Sequence, residues 1–170
     1  MKLNPLISIT GAGLLLAGCV SSPNSLVLDT VGPAPTASGN TDGANGNLTV
    51  YTAYQASADF NTRDPYRREY TDYKILRPDG TLEKQVHNTS GSILQRPQQL
   101  TLPAGNYRVV AQANSYGEVI VPVVIAGRQD TLVHLEGGFW WPNQHVFNET
   151  NAVRLPDGEV VGWKSMTAAK

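Results

Sequence analysis

The feature that most constrains the fold is a series of short segments in which apolar and polar residues alternate. Alternation with a period of two is typical of strands that bury one face. It is clearest at 107–113, and a second series of apolar residues at alternate positions runs from Val119 to Ile125. No segment of eleven residues shows a convincing 3.6-residue repeat, so long amphipathic helices are not predicted. The seven predicted strands lie at 48–55, 70–76, 82–88, 98–102, 106–113, 118–125 and 130–136.

Turn-forming sequences separate the predicted strands. Pro-Asp-Gly stands at 78–80, Pro-Ala-Gly at 103–105 and Ala-Gly-Arg at 126–128, and such residues are typical of tight connections. The chain has 16 Gly and 11 Pro, a share above the usual one, which favours many turns over a helical bundle. We therefore predict an all-β fold in which residues 48–137 form a single antiparallel seven-stranded β-sandwich. The polar stretch at 56–69 is predicted to be a surface loop between the first two strands.

The N-terminal residues have the features of an export signal. A basic second residue is followed by an apolar run at 6–16, which is shorter than the ~20 residues that span a bilayer. The run ends in Leu16-Ala17-Gly18-Cys19. This sequence resembles the bacterial lipobox, in which the cysteine is lipidated and becomes the first residue of the mature protein. A thiolate is the nucleophile that can accept a diacylglyceryl group.

The lipobox resemblance sets the predicted domain boundaries at this end. The resemblance implies that residues 1–18 are the signal peptide and that Cys19 is the lipidation site. Val20 follows in place of Asp, which in Gram-negative lipoproteins resembles the default that routes to the outer membrane. The alternative is that Cys19 is a buried small hydrophobe after an ordinary signal. Residues 19–47 are small, polar and turn-rich, so a flexible tether is predicted, with a docked short strand at 26–28 as the alternative.

The middle of the chain carries a family resemblance. It contains Leu-Thr-Leu-Pro-Ala-Gly-Asn-Tyr-Arg-Val at 100–109, Tyr-Gly at 116–117 and Thr-Leu-Val-His-Leu-Glu at 131–136. This order resembles the carboxypeptidase-regulatory-like or prealbumin-like (transthyretin-like) β-sandwich, over about residues 70–137. The resemblance implies that Tyr107 packs between the sheets and that a Gly-centred turn brings the last three strands together. It implies no catalytic residues.

Residues 138–170 are predicted to form an aromatic C-terminal hairpin or tail. Strand-like residues at 152–155 and 159–163 flank Pro-Asp-Gly at 156–158, which predicts a β-hairpin. A lone hairpin is unstable in water, so it must pack on the sandwich or on a partner. Three uses of the aromatic residues stay open: packing over a sheet face, contact with a protein partner, and stacking on sugar rings. The candidate contact residues are Trp140, Trp141, Trp163 and Tyr116.

Charge and composition exclude several kinds of site. The net charge of −1 and the pI of about 6.3 remove the basic surface expected of a nucleic-acid-binding protein. The single Cys excludes an internal disulfide framework and a cysteine-based metal site. His87, His134 and His145 stand apart, without the spacing of metal ligands, and no Gly-x-Ser-x-Gly nucleophile motif occurs. We predict no catalytic residues, no metal, no cofactor and no enzymatic activity.

These features together predict a membrane-anchored, non-enzymatic envelope lipoprotein that displays a β-sandwich interaction module. Its expected partners are the membrane, through the lipid on Cys19, and an envelope protein. The alternative is a lipoprotein that binds carbohydrate or peptidoglycan through Trp140 and Trp141, because flat aromatic rings can stack on sugar rings.

Overall fold

The structure is a computed structural model that describes residues 25–33, 44–57, 67–88, 96–138, 141 and 149–165. The predicted signal peptide, Cys19 and Trp140 lie outside the described residues. Within those residues every regular element is a strand, as predicted, and no helix long and apolar enough to span a bilayer is found. The strands are β1 (Leu26–Val27), β2 (Asn45–Tyr51), β3 (Tyr54–Ser57), β4 (Arg67–Tyr70), β5 (Tyr73–Leu76), β6 (Leu82–Val86), β7 (Gln99–Pro103), β8 (Gly105–Ala113), β9 (Gly117–Ile125), β10 (Asp130–His134), β11 (Ala152–Arg154) and β12 (Val160–Trp163).

The larger sheet has five strands in the order β1-β9-β8-β5-β6. Its central strands, β8 and β9, pair antiparallel over nine residues each, from Gly105 opposite Ile125 to Ala113 opposite Gly117. Alternate residues of β9 are buried from Val119 to Ile125, which confirms the predicted alternation. Because β-branched side chains fit a half-buried pleated surface well, this pair of strands forms one wall of the core.

The smaller sheet has the strand order β10-β2-β7. β2 pairs antiparallel with β7 but parallel with β10, where His134 stands opposite Tyr51. β1 and β9 also pair parallel. The prediction of a wholly antiparallel sandwich is therefore wrong for the β2–β10 pair, and β1, which lies outside the predicted sandwich, adds a second parallel pair. Alternation carries no information about strand direction, because side chains alternate with the same period in parallel and antiparallel strands.

The segment predicted as the first strand, 48–55, is divided between β2 and β3 on either side of Thr52. Thr52 is buried, and its Oγ1 donates to the Thr71 carbonyl oxygen at 2.7 Å. β2 also begins earlier than predicted, at Asn45. β3 pairs antiparallel with β4, so the prediction that 56–69 is a loop is wrong at both ends. A backbone hydrogen-bond ladder does not require apolar side chains, which is why the polar composition concealed these two strands.

Part of the predicted tether belongs to the larger sheet. Leu28 and Val31 donate their backbone N–H groups to the carbonyl oxygens of Ile120 and Pro122 on β9, both at 2.9 Å. The side chains of Leu28 and Val31 are buried in the core. Residues 25–33 are therefore not a tether, and the alternative of a docked strand is the arrangement found. The buried apolar side chains and the backbone hydrogen bonds to β9 together offset the entropy lost when this segment is ordered.

The C-terminal hairpin packs against the same hydrophobic cluster as the two sheets. β11 and β12 pair antiparallel around Pro-Asp-Gly at 156–158, as predicted. The backbone N–H of Gly32 donates to the Trp163 carbonyl oxygen at 2.7 Å, so the hairpin lies against the N-terminal segment. A Cβ atom on Gly162 would lie 2.7 Å from Val31 Cγ1. This close approach therefore requires glycine.

Candidate functional site

A continuous series of ring contacts runs beside the ends of β2 and β10. Tyr51 and His134 are partners in the parallel register, and their rings stack with centroids 4.2 Å apart and planes 11° apart. Tyr70, at the end of β4, meets Tyr51 edge to face at 5.9 Å. We call the rings from Tyr70 onward the aromatic column; it consists of Tyr70, Tyr51, His134, Trp141 and Trp163. Tyr54 meets Tyr70 from outside the column, with ring centroids 6.2 Å apart.

Two of the predicted contact residues, Trp141 and Trp163, form the end of the aromatic column. The Trp141 ring meets the His134 ring edge to face, with centroids 4.7 Å apart. It also meets the Trp163 ring edge to face, with centroids 5.6 Å apart. The Trp141 indole N–H donates to the Val160 carbonyl oxygen at 2.9 Å, and only 8% of Trp163 is exposed. Aromatic pairs contribute about 0.5–1.5 kcal/mol beyond the burial of their area. These contacts hold the C-terminal hairpin against β10.

A buried histidine–glutamate pair lies at the centre of the column. His134 ends β10, and Glu136 lies two residues later in the bend that follows, where the two side chains meet. His134 Nδ1 is 2.6 Å from Glu136 Oε1, and the two side chains are 3% and 8% exposed. Among the described residues, Glu136 Oε2 has no hydrogen-bond partner. Burial raises the pKa of Tyr51, and the Glu136 carboxylate adds to this effect.

A small cavity lies beside the column. Gly137 and Gly138 have φ values of 78° and 68°, in the left-handed region that favours glycine. Their turn brings the Gly138 N–H to 2.7 Å from Glu159 Oε1. Together with Trp141 these residues line a cavity of about 100 Å³, whereas ligand clefts usually measure ~300–1,000 Å³. The cavity is therefore too small for a typical organic ligand.

Tyr116, the third described contact candidate, lies in the turn between β8 and β9. Its side chain is partly buried against the hydrophobic core and lies within electrostatic reach of the Asp157 carboxylate in the hairpin turn. Burial and the Asp157 carboxylate raise the pKa of Tyr116. Tyr116 therefore joins two turns of the protein instead of extending the aromatic column. The fourth candidate, Trp140, lies outside the described residues.

The sequence analysis did not predict that Tyr51 and His134 belong to the aromatic column or that Glu136 pairs with His134. The register between β2 and β10 is a contact between distant segments, and no local pattern predicts it. The spacing of His134 and Glu136 is the one local signal that could have indicated their pairing. His87, by contrast, is exposed, with Nδ1 2.9 Å from Asp72 Oδ1.

The contacts of the aromatic column are packing contacts between rings. Across the described ranges, no group of three or more His, Cys, Asp or Glu side chains is placed to hold a metal ion. No protein-family model, curated protein or solved structure matches the chain. Function is therefore inferred from the lipobox-like sequence and from the geometry of the described residues.

Proposed function

We propose that this protein is a lipid-anchored, non-enzymatic lipoprotein of the cell envelope that displays a β-sandwich interaction module. The observation that carries the proposal is Leu16-Ala17-Gly18-Cys19, which places the sole cysteine directly after an apolar run. A thiolate there can accept a diacylglyceryl group, and two or three acyl chains hold a protein firmly on a membrane where one does not. Val20 in the next position fits retention at the outer membrane of a Gram-negative bacterium.

For the displayed domain we propose a seven-stranded sandwich resembling the prealbumin-like fold, built from β2 and β5 to β10. One hydrophobic cluster contains inward-facing residues of both the larger and the smaller sheet, which supports face-to-face packing. Tyr107, which leads a strand in the resemblance, packs against this cluster. Its hydroxyl donates to the Pro103 carbonyl oxygen at 3.1 Å, across the Pro-Ala-Gly turn. The parallel pairing of β2 and β10 is this chain's departure from an all-antiparallel sandwich.

The aromatic column supports a structural role for its residues over a catalytic or sugar-binding one. His134 and Glu136 are buried and bound to each other. Trp163 is buried, and the Trp141 indole N–H is already bound to Val160. A sugar-stacking platform requires exposed ring faces, which buried rings do not offer. The proposed partner of the module is therefore an envelope protein, and binding of a polysaccharide through Trp140 and Trp141 is the competing outcome.

Metabolic labelling with palmitate tests the proposed anchor. We expect the full-length protein to take up the label, to begin at Cys19 after processing and to sediment with membranes. The variant Cys19→Ser is expected to lose the label and to leave the membrane fraction, while the matched variant Ser22→Ala keeps both properties. An unlabelled wild-type protein, or label retained in Cys19→Ser, would contradict the proposal.

A further inference from the structure

The inference rests on the proposed function and concerns the surface next to the lipid anchor. Cys19 precedes Ser25, the first described residue, by six positions. At about 3.3–3.6 Å per residue, this connection spans roughly 20 Å at most. Ser25 is held by the larger sheet, since its Oγ donates to Glu118 Oε1 at 2.8 Å. The acyl chains on Cys19 therefore lie close to β1, an edge strand of that sheet.

The segment after Ser25 is firmly attached and does not lengthen the connection. Leu28 and Val31 are buried and hydrogen-bonded to β9. Asp29 forms an ion pair of 2.7 Å with Lys164, directly after β12. Detaching these residues would expose apolar surface and break backbone hydrogen bonds on β9 and at the hairpin. The domain is thus held at the membrane by its β1 edge.

The side of the larger sheet that faces away from the core, here called the outer face, carries an apolar side chain on each of its five strands. The register places Val27 beside Ile120 and Ile120 beside Val110. At the opposite edge, Leu76 stands beside Leu82. Among the described residues, the exposed large hydrophobic side chains are Val27, at 62%, and Leu82, at 58%. The two lie on the two edge strands of this one sheet.

The charged residues of the outer face suit an interface with lipid headgroups. Lys74 and Arg108 are exposed and stand in register with apolar neighbours. Long basic side chains can cover apolar surface with their stems and keep the charge among headgroups, and anionic lipids attract that charge. Asp72 and Glu118 line the same small cavity as Lys74, and both carboxylates accept hydrogen bonds within the protein.

We propose that the outer face lies on the same bilayer that holds the acyl chains of Cys19. The short connection brings this membrane to the β1 edge of the sheet, and the apolar and basic composition fits interfacial binding. β6 lies four strand spacings from β1, a distance of about 19 Å at the usual spacing. A sheet that lies flat brings Leu82 to the bilayer as well as Val27, whereas a domain held only by its anchor does not.

Site-directed fluorescence on the full lipidated protein tests this orientation. Cys19 becomes a thioether on lipidation, so a newly introduced cysteine is the only free thiol in the chain. The variants Val27→Cys and Leu82→Cys are labelled with an environment-sensitive dye, and Gln99→Cys, on an exposed position of β7 in the smaller sheet, is the matched control. Each is reconstituted in vesicles of phosphatidylethanolamine and phosphatidylglycerol that carry a lipid-borne quencher. Circular dichroism shows that each variant is folded.

We expect the lipid-borne quencher to reduce the fluorescence of the labels at Val27 and Leu82 and to leave the label at Gln99 unchanged. A label at Leu82 that behaves like the one at Gln99 overturns the proposal. So does a label at Leu82 that is shielded from water without lipid quenching, because that result indicates a second copy of the chain on this face. The intact mass of the reconstituted protein tests the lipid anchor separately from the orientation of the sheet. Absent acyl chains refute the proposed function, whereas acylation with an unquenched Leu82 label refutes only the orientation.

Discussion

The aromatic column and the outer face use apolar side chains in opposite ways. In the aromatic column each ring contacts the next, and Trp163 and His134 are almost fully buried. On the outer face, smaller aliphatic side chains such as Val27 and Leu82 remain largely exposed. Tryptophan and tyrosine are usually the strongest contact residues of an interface. Here Trp141 and Trp163 pack within the fold, and the exposed large apolar side chains of the described residues are aliphatic.

Removal of a column ring should have the largest effect on stability. Trp163→Ala deletes a buried indole that contacts Trp141, so we expect the free energy of unfolding to fall by about 3–5 kcal/mol. Urea denaturation measures this change. The matched variant on the outer face, Leu82→Ala, should change the value by less than about 0.5 kcal/mol. Equal effects of the two variants would contradict the distinction between the two regions.

Loss of the buried carboxylate should have the next largest effect. Glu136→Ala leaves His134 Nδ1 without its partner at 2.6 Å, and an unsatisfied buried polar group costs about 1–3 kcal/mol. Glu136→Gln keeps an acceptor oxygen in the same place and should recover part of the loss. Thermal unfolding of the three proteins provides the comparison. If Glu136→Ala is as stable as the wild type, the contact between His134 and Glu136 does not stabilise the aromatic column.

The buried hydroxyl of Tyr73 should make the folded protein less stable at alkaline pH. Burial raises the pKa of its hydroxyl well above the ordinary value near 10. Between the pKa of the unfolded chain and the higher pKa of the folded protein, Tyr73 keeps a proton in the folded protein that the unfolded chain has lost. The contribution of Tyr73 to the free energy of unfolding is therefore complete below pH 10 and is lost as the pH rises above it. The slope is about 1.4 kcal/mol per pH unit. Tyr73→Phe should reduce the slope, and should cost nothing at neutral pH because among the described residues the hydroxyl has no partner.

Polar substitutions on the outer face should have the smallest effect on folding. Val27→Ser and Leu82→Ser each replace an exposed side chain, and we expect changes in unfolding free energy within about 0.5 kcal/mol. Urea denaturation of each variant measures this. A large loss of stability would show that these side chains serve the core, and the outer face would then not be a surface available for contact.

Local signals in the sequence predicted those parts of the fold that form between neighbouring segments. The alternation in β8 and β9 and the Pro-Asp-Gly turn between β11 and β12 are both read from adjacent residues, and both are present. Each of the seven predicted strand segments overlaps a strand of the structure. In such hairpins the turn residues and the alternation specify the pairing together.

Contacts between distant segments could not be predicted in the same way. The docking of Leu26 and Val27 beside β9 depends on an edge that only the folded sheet provides. The stacking of Tyr51 on His134 depends on the parallel register of β2 and β10. Trp141 and Trp163 were identifiable as one aromatic group, but their burial depends on where the hairpin packs. The sequence therefore indicated which aromatic residues belong together but not that they are buried.

The most direct test of the central distinction is co-sedimentation of residues 20–170 with peptidoglycan and insoluble polysaccharides. The same measurement is made on a Trp140→Ala/Trp141→Ala variant whose folded state is checked by circular dichroism. If the aromatic residues serve packing, both proteins remain in the supernatant, and the search for partners turns to envelope proteins. Sedimentation of the wild-type protein that is lost in the folded variant would contradict the account and identify a glycan-binding lipoprotein.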